Sequence, residues 1–158
     1  MAINPSERVW EILERFSIAM LITNGGLEMR GRPMGVIVKR DEGMLYFLTD
    51  ASSDKDHEIH FDPNVIVSFV DPSAQKYAWV RGHAIVSNDR AKIRELWTPF
   101  AKAWWDSAED PDVRVVKVTP ESAEYWDSPG KIAAYAAMLT AAVTGAKPAV
   151  GENQTVAL

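Results

Sequence analysis

Short polar turns separate the apolar segments in the middle of this sequence, and this feature constrains the fold more than any other. Residues 33–40 and 44–49 flank the turn sequence DEG at 41–43, and residues 65–70 and 77–87 flank the sequence DPSAQK. Each pair is typical of a β-hairpin. Because parallel strands need long crossover connections, two hairpins of this kind predict an antiparallel sheet.

Two more apolar segments, residues 18–23 and 114–120, bring the predicted total to about six strands. Short antiparallel strands joined by tight turns favour a closed or partly closed barrel. The predicted fold class is therefore α+β, mainly β, with a small antiparallel β-barrel and peripheral helices.

Helical signals lie at both ends of the chain and between the later strands. An amphipathic helix is predicted to begin at a Ser6 cap, and Asp89 is a predicted cap for the helix RAKIRELW. Pro99 stands near the start of another helical segment. An alanine-rich helix over 131–143 is expected to end at Gly145.

Length and composition predict one domain. The chain has 158 residues, 47% of them hydrophobic, which is enough for one core and too little for two. We predict a single domain over 1–145. Residues 146–158 lack periodicity, and we expect a flexible tail or a segment draped over a partner.

Charge and cysteine content narrow the function classes. A net charge of -5 argues against nucleic acid as a partner, and the absence of cysteine excludes disulfides and thiolate metal sites. The most apolar segment, 132–143, is shorter than the ~20 residues that a membrane span needs. With no signal-peptide pattern at the N-terminus, we expect a soluble cytoplasmic protein without membrane contact.

The segment 49–55 joins a predicted strand to a predicted helix and concentrates polar groups there. Ser53 and Asp56 fit a capping box, which is a purely structural role. The start of a helix also attracts anions such as phosphate, and Thr49, Ser52, Ser53 and Lys55 would supply donors. Both interpretations remain open at this point.

A second basic cluster, Arg30 and Arg32, precedes the first hairpin. Since the start of one antiparallel strand lies beside the end of the next, Arg32 is predicted to lie near Thr49. The alternative is that both arginines are solvated loop residues. Convergence of two cationic groups on one strand end favours an anion pocket.

Several of these segments, taken in order, carry a family resemblance. They are RPM at 32–34, FLTDASSDK at 47–55, VIVSF at 65–69, then LW, WW, DPDV and EYWD at 124–127. Over residues 7–128 this series resembles the general stress protein 26 branch of the pyridoxamine 5'-phosphate oxidase-like flavoproteins. The resemblance implies an FMN-binding split β-barrel, a homodimer with flavin at the subunit interface, and FAD as a possible alternative cofactor.

The resemblance also implies roles for individual residues. Arg32 matches a residue near the flavin phosphate, and the strand that follows it lies along the ring. Ser53 and Lys55 match the phosphate-binding turn, and Trp126 matches an aromatic residue reaching the flavin from the other subunit. The complete set of implied cofactor-binding residues is Arg32, Pro33, Met34, Leu48, Thr49, Ser53, Lys55, Tyr77 and Trp126.

Departures from the family pattern limit the implied activity. The oxidases have a basic residue where this chain has Asp54, and a glutamine near the position of Tyr77. The sequence after Trp126 lacks the arginine- and histidine-containing segment that holds substrate in true pyridoxamine phosphate oxidases. Oxidation of vitamin B6 is therefore not expected.

Three functional hypotheses follow from the resemblance and its departures. The first is an FMN-dependent oxidoreductase with a nicotinamide or similar donor and an unidentified substrate. The second is a non-catalytic flavin-binding or flavin-sensing stress protein, and the third is a dimeric barrel that has lost its cofactor. The sequence names no catalytic residue.

Other polar and aromatic residues admit ordinary structural roles. His57 and His60 lack a third metal ligand and are expected on a helix surface, so no metal site is predicted. His83 is expected to pack on the sheet, and Gly82 suggests a bulge. Trp104 and Trp105 would pack, cover a flavin or fill a dimer interface.

Overall fold

A computed structural model describes residues 4–129, 131–147 and 151–158. In these ranges the strands are β1 (Ile18–Asn24), β2 (Met29–Gly35), β3 (Ile37–Lys39), β4 (Met44–Asp50), β5 (Asn64–Asp71), β6 (Lys76–Ser87), β7 (Val113–Asp127) and β8 (Glu152–Ala157). The helices are α1 (Pro5–Leu13), α2 (Asp54–Phe61), α3 (Arg90–Leu96) and α4 (Lys131–Thr144), with a 3-10 helix at Pro99–Ala103.

All strands belong to one antiparallel sheet that curls on itself. The strand order is β2-β1-β5-β6-β7-β4-β3, and β8 pairs with β7 beyond the end of β4. The two strands at the ends of this order, β2 and β3, are separated along the chain by Val36 alone, whose N–H donates to the Ser17 carbonyl at 3.0 Å. One bent segment therefore joins the two edges of the sheet, and the predicted mainly β, antiparallel fold is confirmed.

The bend at Val36 corrects the predicted first hairpin. Only Ile37–Lys39 pair with β4, whereas residues 33–35 pair with β1. The two hairpin turns themselves are confirmed. Gly43 has a φ of 65° in the first turn and Gln75 a φ of 56° in the second.

Buried and exposed side chains alternate along the strands, and the buried ones form one main core inside the curled sheet. In β5, Val65, Val67 and Phe69 face inward and are buried. Phe69 meets Phe16 edge to face, with ring centroids 5.3 Å apart, so the segment after α1 is fixed to the sheet. A second, smaller cluster under α3 packs Tyr46 and Ile93 against the opposite face of β4.

Helix ends agree with the sequence in two cases and differ in one. Asp89 caps α3 by accepting from the Lys92 N–H at 3.1 Å, and α4 ends before Gly145, which has a φ of 72°. The predicted Ser6 cap of α1 is wrong. Asn4 is the cap and accepts from the Ser6 N–H at 2.9 Å, because Pro5 already adopts the first helical position.

The C-terminal segment carries a strand that the sequence analysis did not include. Residues 152–157 pair with 122–127 as β8, where a flexible tail was predicted for 146–158. Val156 is buried in the main core. Tail residues 148–150 lie outside the described residues. Among the described helices, none combines the length and the apolar character needed to span a membrane.

Gly82 occupies the predicted bulge, where the β6–β7 register shifts between Arg81 and Gly82. A Cβ atom at Gly82 would lie 2.5 Å from the carbonyl oxygen of Thr119, closer than any real contact.

Gly82→Ala is expected to lower the free energy of unfolding by about 2 kcal/mol, measured by urea denaturation. Gly31→Ala is the control, since its Cβ would meet neighbouring side chains at 3.5 Å. Equal stability of both variants would contradict the steric argument.

Candidate functional site

The turn between β4 and α2 brings together hydroxyl groups that the sequence analysis singled out. Thr49, near the end of β4, is buried, and its Oγ1 lies 3.2 Å from Ser53 Oγ. Ser53 occupies the cap position of α2, but its side chain makes no capping hydrogen bond. The predicted capping box of Ser53 and Asp56 is therefore wrong, because the serine hydroxyl meets Thr49 instead.

Asp50 fixes the shape of the same turn. Its Oδ1 accepts from the Ser52 N–H at 3.0 Å and from the Ser52 hydroxyl at 2.7 Å. These hydrogen bonds, with a smaller contribution from the Trp105 indole, hold the pKa of Asp50 below its ordinary value. Trp105 thus packs beside the turn, whereas the neighbouring Trp104 is exposed.

Lys55 stands half-buried in the first turn of α2. Burial lowers the pKa of its ammonium below the ordinary value, and the positive charge of nearby Arg32 lowers it further. Among the described residues, no side chain forms a hydrogen bond or ion pair with the Lys55 ammonium. A cation in this setting, beside a helix N-terminus, favours a bound anion.

Arg32 reaches the site from β2, by a different route from the one predicted. It lies opposite Leu21 of β1 and so is not a hairpin neighbour of Thr49. Its guanidinium donates to Glu58 at 2.8 and 3.1 Å and to the Thr23 hydroxyl at 3.1 Å. Since a guanidinium has five N–H donors, this pairing leaves donors for a further acceptor.

Glu58 is a buried carboxylate at the centre of this cluster, with 7% of its surface exposed. It accepts a short hydrogen bond from Thr23 Oγ1, which in turn accepts from Arg32. Burial alone raises the pKa of Glu58, but the Thr23 hydrogen bond and Arg32 outweigh it, so the net pKa lies below the ordinary value. Glu58 is therefore ionised at neutral pH and holds Arg32 in place.

Arg30 adds a second guanidinium at the rim of the cluster. It donates to Glu58 and to Asp54, each at 3.2 Å, and is more exposed than Arg32. Three cations, Arg30, Arg32 and Lys55, thus face three carboxylates, Asp50, Asp54 and Glu58. Both guanidinium groups are paired with carboxylates, whereas the Lys55 ammonium feels the nearby carboxylates without a direct hydrogen bond to them in the described residues.

The other predicted residues near the turn lie on β2 and β4. Pro33 is exposed on β2, and Met34 is half-buried against the main core. Leu48 is half-buried against the second cluster. β2 and β4 approach each other, but Met34 and Leu48 pack against different clusters, so the three residues do not share one face.

Tyr77 and Trp126 lie elsewhere, at the far end of the sheet. They are cross-strand partners on β6 and β7, and 40% of Trp126 is exposed. Arg114, opposite Thr49, is twelve residues before Trp126 on β7, roughly 40 Å along the strand. Within one chain these two aromatics are not brought to the Lys55 cluster.

The histidines do not converge within the described residues. His60 Nδ1 donates to the Asp56 carbonyl within α2 at 2.8 Å, and His83 is exposed on β6 near Glu121. In the described part of the chain, no group of three or more histidine, aspartate or glutamate residues could hold a metal ion.

Sequence reasoning missed Thr23 and Glu58. The sequence gives Glu58 no role beyond its place on the helix of His57 and His60, and Thr23 only ends the apolar segment 18–23. A threonine that ends an apolar strand and a glutamate on the same helix as Lys55 were the available signals. Their contact joins residues 35 positions apart, which no local pattern reveals.

The sequence of this chain is similar to those of known proteins. The sequence profile of the family described as "Pyridoxamine 5'-phosphate oxidase like" matches residues 4–149. Protein bli-3 of Neurospora crassa is 30% identical over 114 residues, which are 66% of this chain and 54% of that protein. The chain thus spans about half the length of this relative.

Two solved structures are similar over most of the chain. A general stress protein 26 from Jannaschia sp. CCS1 is 29% identical, with a TM-score of 0.82 over 97% of this chain and 98% of that one. The general stress FMN/FAD binding protein from Xanthomonas citri is 24% identical, with a TM-score of 0.68 over 77% and 87%. The predicted split β-barrel is confirmed by these likenesses.

Proposed function

The chain belongs to the pyridoxamine 5'-phosphate oxidase-like family, and from this premise we propose that it is an FMN-binding flavoprotein with oxidoreductase activity on an unidentified substrate. The observation that carries the proposal is the half-buried Lys55 at the start of α2, which lies near Arg32 and has no hydrogen-bond or ion-pair partner among the described residues. The flavin named for the Xanthomonas citri protein supports the same cofactor class.

The residues present fit the phosphate of FMN. Lys55 and Arg32 would bind its negative charge, and the paired hydroxyls of Thr49 and Ser53 would donate hydrogen bonds. Glu58 opposes the phosphate but is neutralised by Arg32 and Arg30. FAD has a phosphate at the same position of its ribityl chain, so the same residues would contact either cofactor.

The strand residues around the turn would position the flavin ring. The backbone of β2 at Pro33 and Met34 would lie along the ring, and Leu48 would border its edge. Bound FMN would supply the electron transfer, and the protein would supply binding, orientation and exclusion of water. A nicotinamide is the proposed electron donor.

A homodimer completes the proposed site. Tyr77 and Trp126 lie too far along the sheet to meet Lys55 of their own chain. A second copy, placed with this end of its sheet against the flavin, would bring both aromatics to the ring. Each dimer would then contain two equivalent flavin sites.

One observation favours the second hypothesis, a binding or sensing protein without turnover. Glu58, the buried acid of the cluster, is already engaged by Thr23 and Arg32 and is not available to transfer a proton. Reduction experiments separate the two. Bleaching of bound flavin by NADH or NADPH, followed by reoxidation with turnover, would indicate an enzyme, and binding without reduction would indicate a sensor.

An FMN titration of the flavin-free protein tests the proposal directly. Flavin fluorescence is followed, with riboflavin as a control because it lacks the phosphate. We expect FMN to bind with a dissociation constant of about 1 μM or tighter, equivalent to about -8 kcal/mol, and riboflavin to bind more weakly. Failure of both flavins to bind would leave the third hypothesis, a barrel without cofactor.

A further inference from the structure

The segment that contains helix α4 leaves the sheet and rejoins it at nearly the same place. β7 ends at Asp127, which is paired directly with Glu152, the first residue of β8. The chain between them therefore leaves the sheet and returns to it, carrying α4 (Lys131–Thr144) as an excursion. α4 is not needed to connect distant parts of its own barrel.

The surface of α4 is apolar and largely uncovered. Tyr135, Met138, Leu139 and Val143 are exposed, Tyr135 by 69% and Val143 by 87%. Lys131 is its one charged residue. An isolated helix of 14 residues is marginally stable in water, and an exposed apolar surface of this kind indicates an interaction site.

A matching apolar surface lies on the outside of the sheet. Ile18 and Met20 alternate with buried residues on β1 and point outward, and Val70 does so on β5. Val70 is paired with Tyr77, which is paired with Trp126. The outer face is defined here as Ile18, Met20 and Val70, and it borders Tyr77 and Trp126 at the base of the excursion.

We propose that α4 of one copy packs on the outer face of a second copy, and that the exchange is reciprocal. One chain carries both surfaces, so a twofold dimer would form the same contact twice and would cover both surfaces of each copy. If each contact covers about 300 Å² on each side, the two contacts together bury the ~1,200 Å² at which stable interfaces begin.

A second copy suits this surface better than a lipid membrane. Helices that lie on membranes carry several lysines or arginines on a polar face, and α4 has Lys131 alone. The inference deepens the proposed function, because it rests on the dimer in which Trp126 reaches the partner's flavin. Trp126 stands at the base of α4, so docking of the helix would place this aromatic at the interface.

Charge substitutions on the two surfaces test the exchange. Leu139→Glu on α4 and Met20→Lys on the outer face should each raise the dimer dissociation constant about tenfold, since each places two charges in apolar contacts. Mixing the two variants should restore association, because the mixed dimer has one Glu–Lys contact and one unaltered contact. Light scattering coupled to size exclusion, over a range of concentrations, measures each case.

Leu27→Glu is the matched control, because Leu27 is a fully exposed apolar residue outside both surfaces, and it should leave association unchanged. Circular dichroism checks that every variant is folded. A monomeric unaltered chain, a Leu139→Glu dimer as tight as the unaltered one, or a mixture no tighter than its parts would each overturn the exchange. If FMN binding depends on the phosphate and any of these results is found, the exchange is overturned and the proposed function stands. If the dimer depends on α4 but the protein binds no flavin, the proposed function is overturned and the exchange stands.

Discussion

Lys55→Ala is expected to weaken FMN binding about ten- to a hundredfold and to leave riboflavin binding nearly unchanged. A charge-assisted hydrogen bond typically contributes about 1.5–3 kcal/mol, which corresponds to this range of affinity. The ammonium of Lys55 is half-buried beside Arg32 and has no hydrogen-bonded partner within the described ranges, so a ligand phosphate is its natural counter-charge. Riboflavin has no phosphate, so its affinity should not depend on the Lys55 ammonium.

The control for Lys55→Ala removes the same charge at a distance from the turn. Lys117 is exposed on β7, and Lys117→Ala should leave both affinities unchanged. Fluorescence titration of both flavins with both variants completes the comparison. Equal losses of FMN and riboflavin affinity in Lys55→Ala would show that the phosphate does not bind at Lys55. A loss of FMN affinity in Lys117→Ala would indicate a long-range charge effect.

The parts of the fold that the sequence predicts are those set by neighbouring residues. The turns at Gly43 and Gln75 and the cap at Asp89 depend on a few consecutive side chains, and each is present. Strand β8 pairs with β7 only after the chain has passed through α4, so no local pattern places it. Strand β2 is the chain neighbour of its partner β1, but its short, polar sequence has too little periodicity to mark it as a strand.

The same distinction holds at the candidate site. The turn from Thr49 to Lys55 is contiguous, so its hydroxyls and its cation could be identified in advance. Ser53 satisfied the capping pattern, yet its hydroxyl pairs with the Thr49 hydroxyl and does not accept from a backbone N–H of α2. The pairing of Arg32 with Glu58 and Thr23 required three separate elements to meet, which only the folded chain specifies.

Glu58→Gln is expected to lower the free energy of unfolding at pH 7 by about 3 kcal/mol, the largest stability effect that we predict. The substitution keeps the shape of the side chain but removes the charge that holds Arg32 and Arg30, and it leaves Arg32 partly buried without a counter-ion. Glu95→Gln, on the exposed surface of α3, is the control and should change stability by less than about 0.5 kcal/mol.

The pH dependence of this difference identifies its cause. Because the pKa of Glu58 is lower in the folded chain than its ordinary value of 4.5, its contribution is fully present above pH 4.5. It is lost as the pH falls through the folded pKa, where the carboxylate takes up a proton and comes to resemble glutamine. Urea unfolding of the unaltered protein and of Glu58→Gln at several pH values measures the difference between their free energies of unfolding. This difference should be constant from pH 7 to about 5 and should become smaller at lower pH. A difference that stays constant into the acid range would mean that the charge of Glu58 is not its cause, and that Arg32 is held by other means.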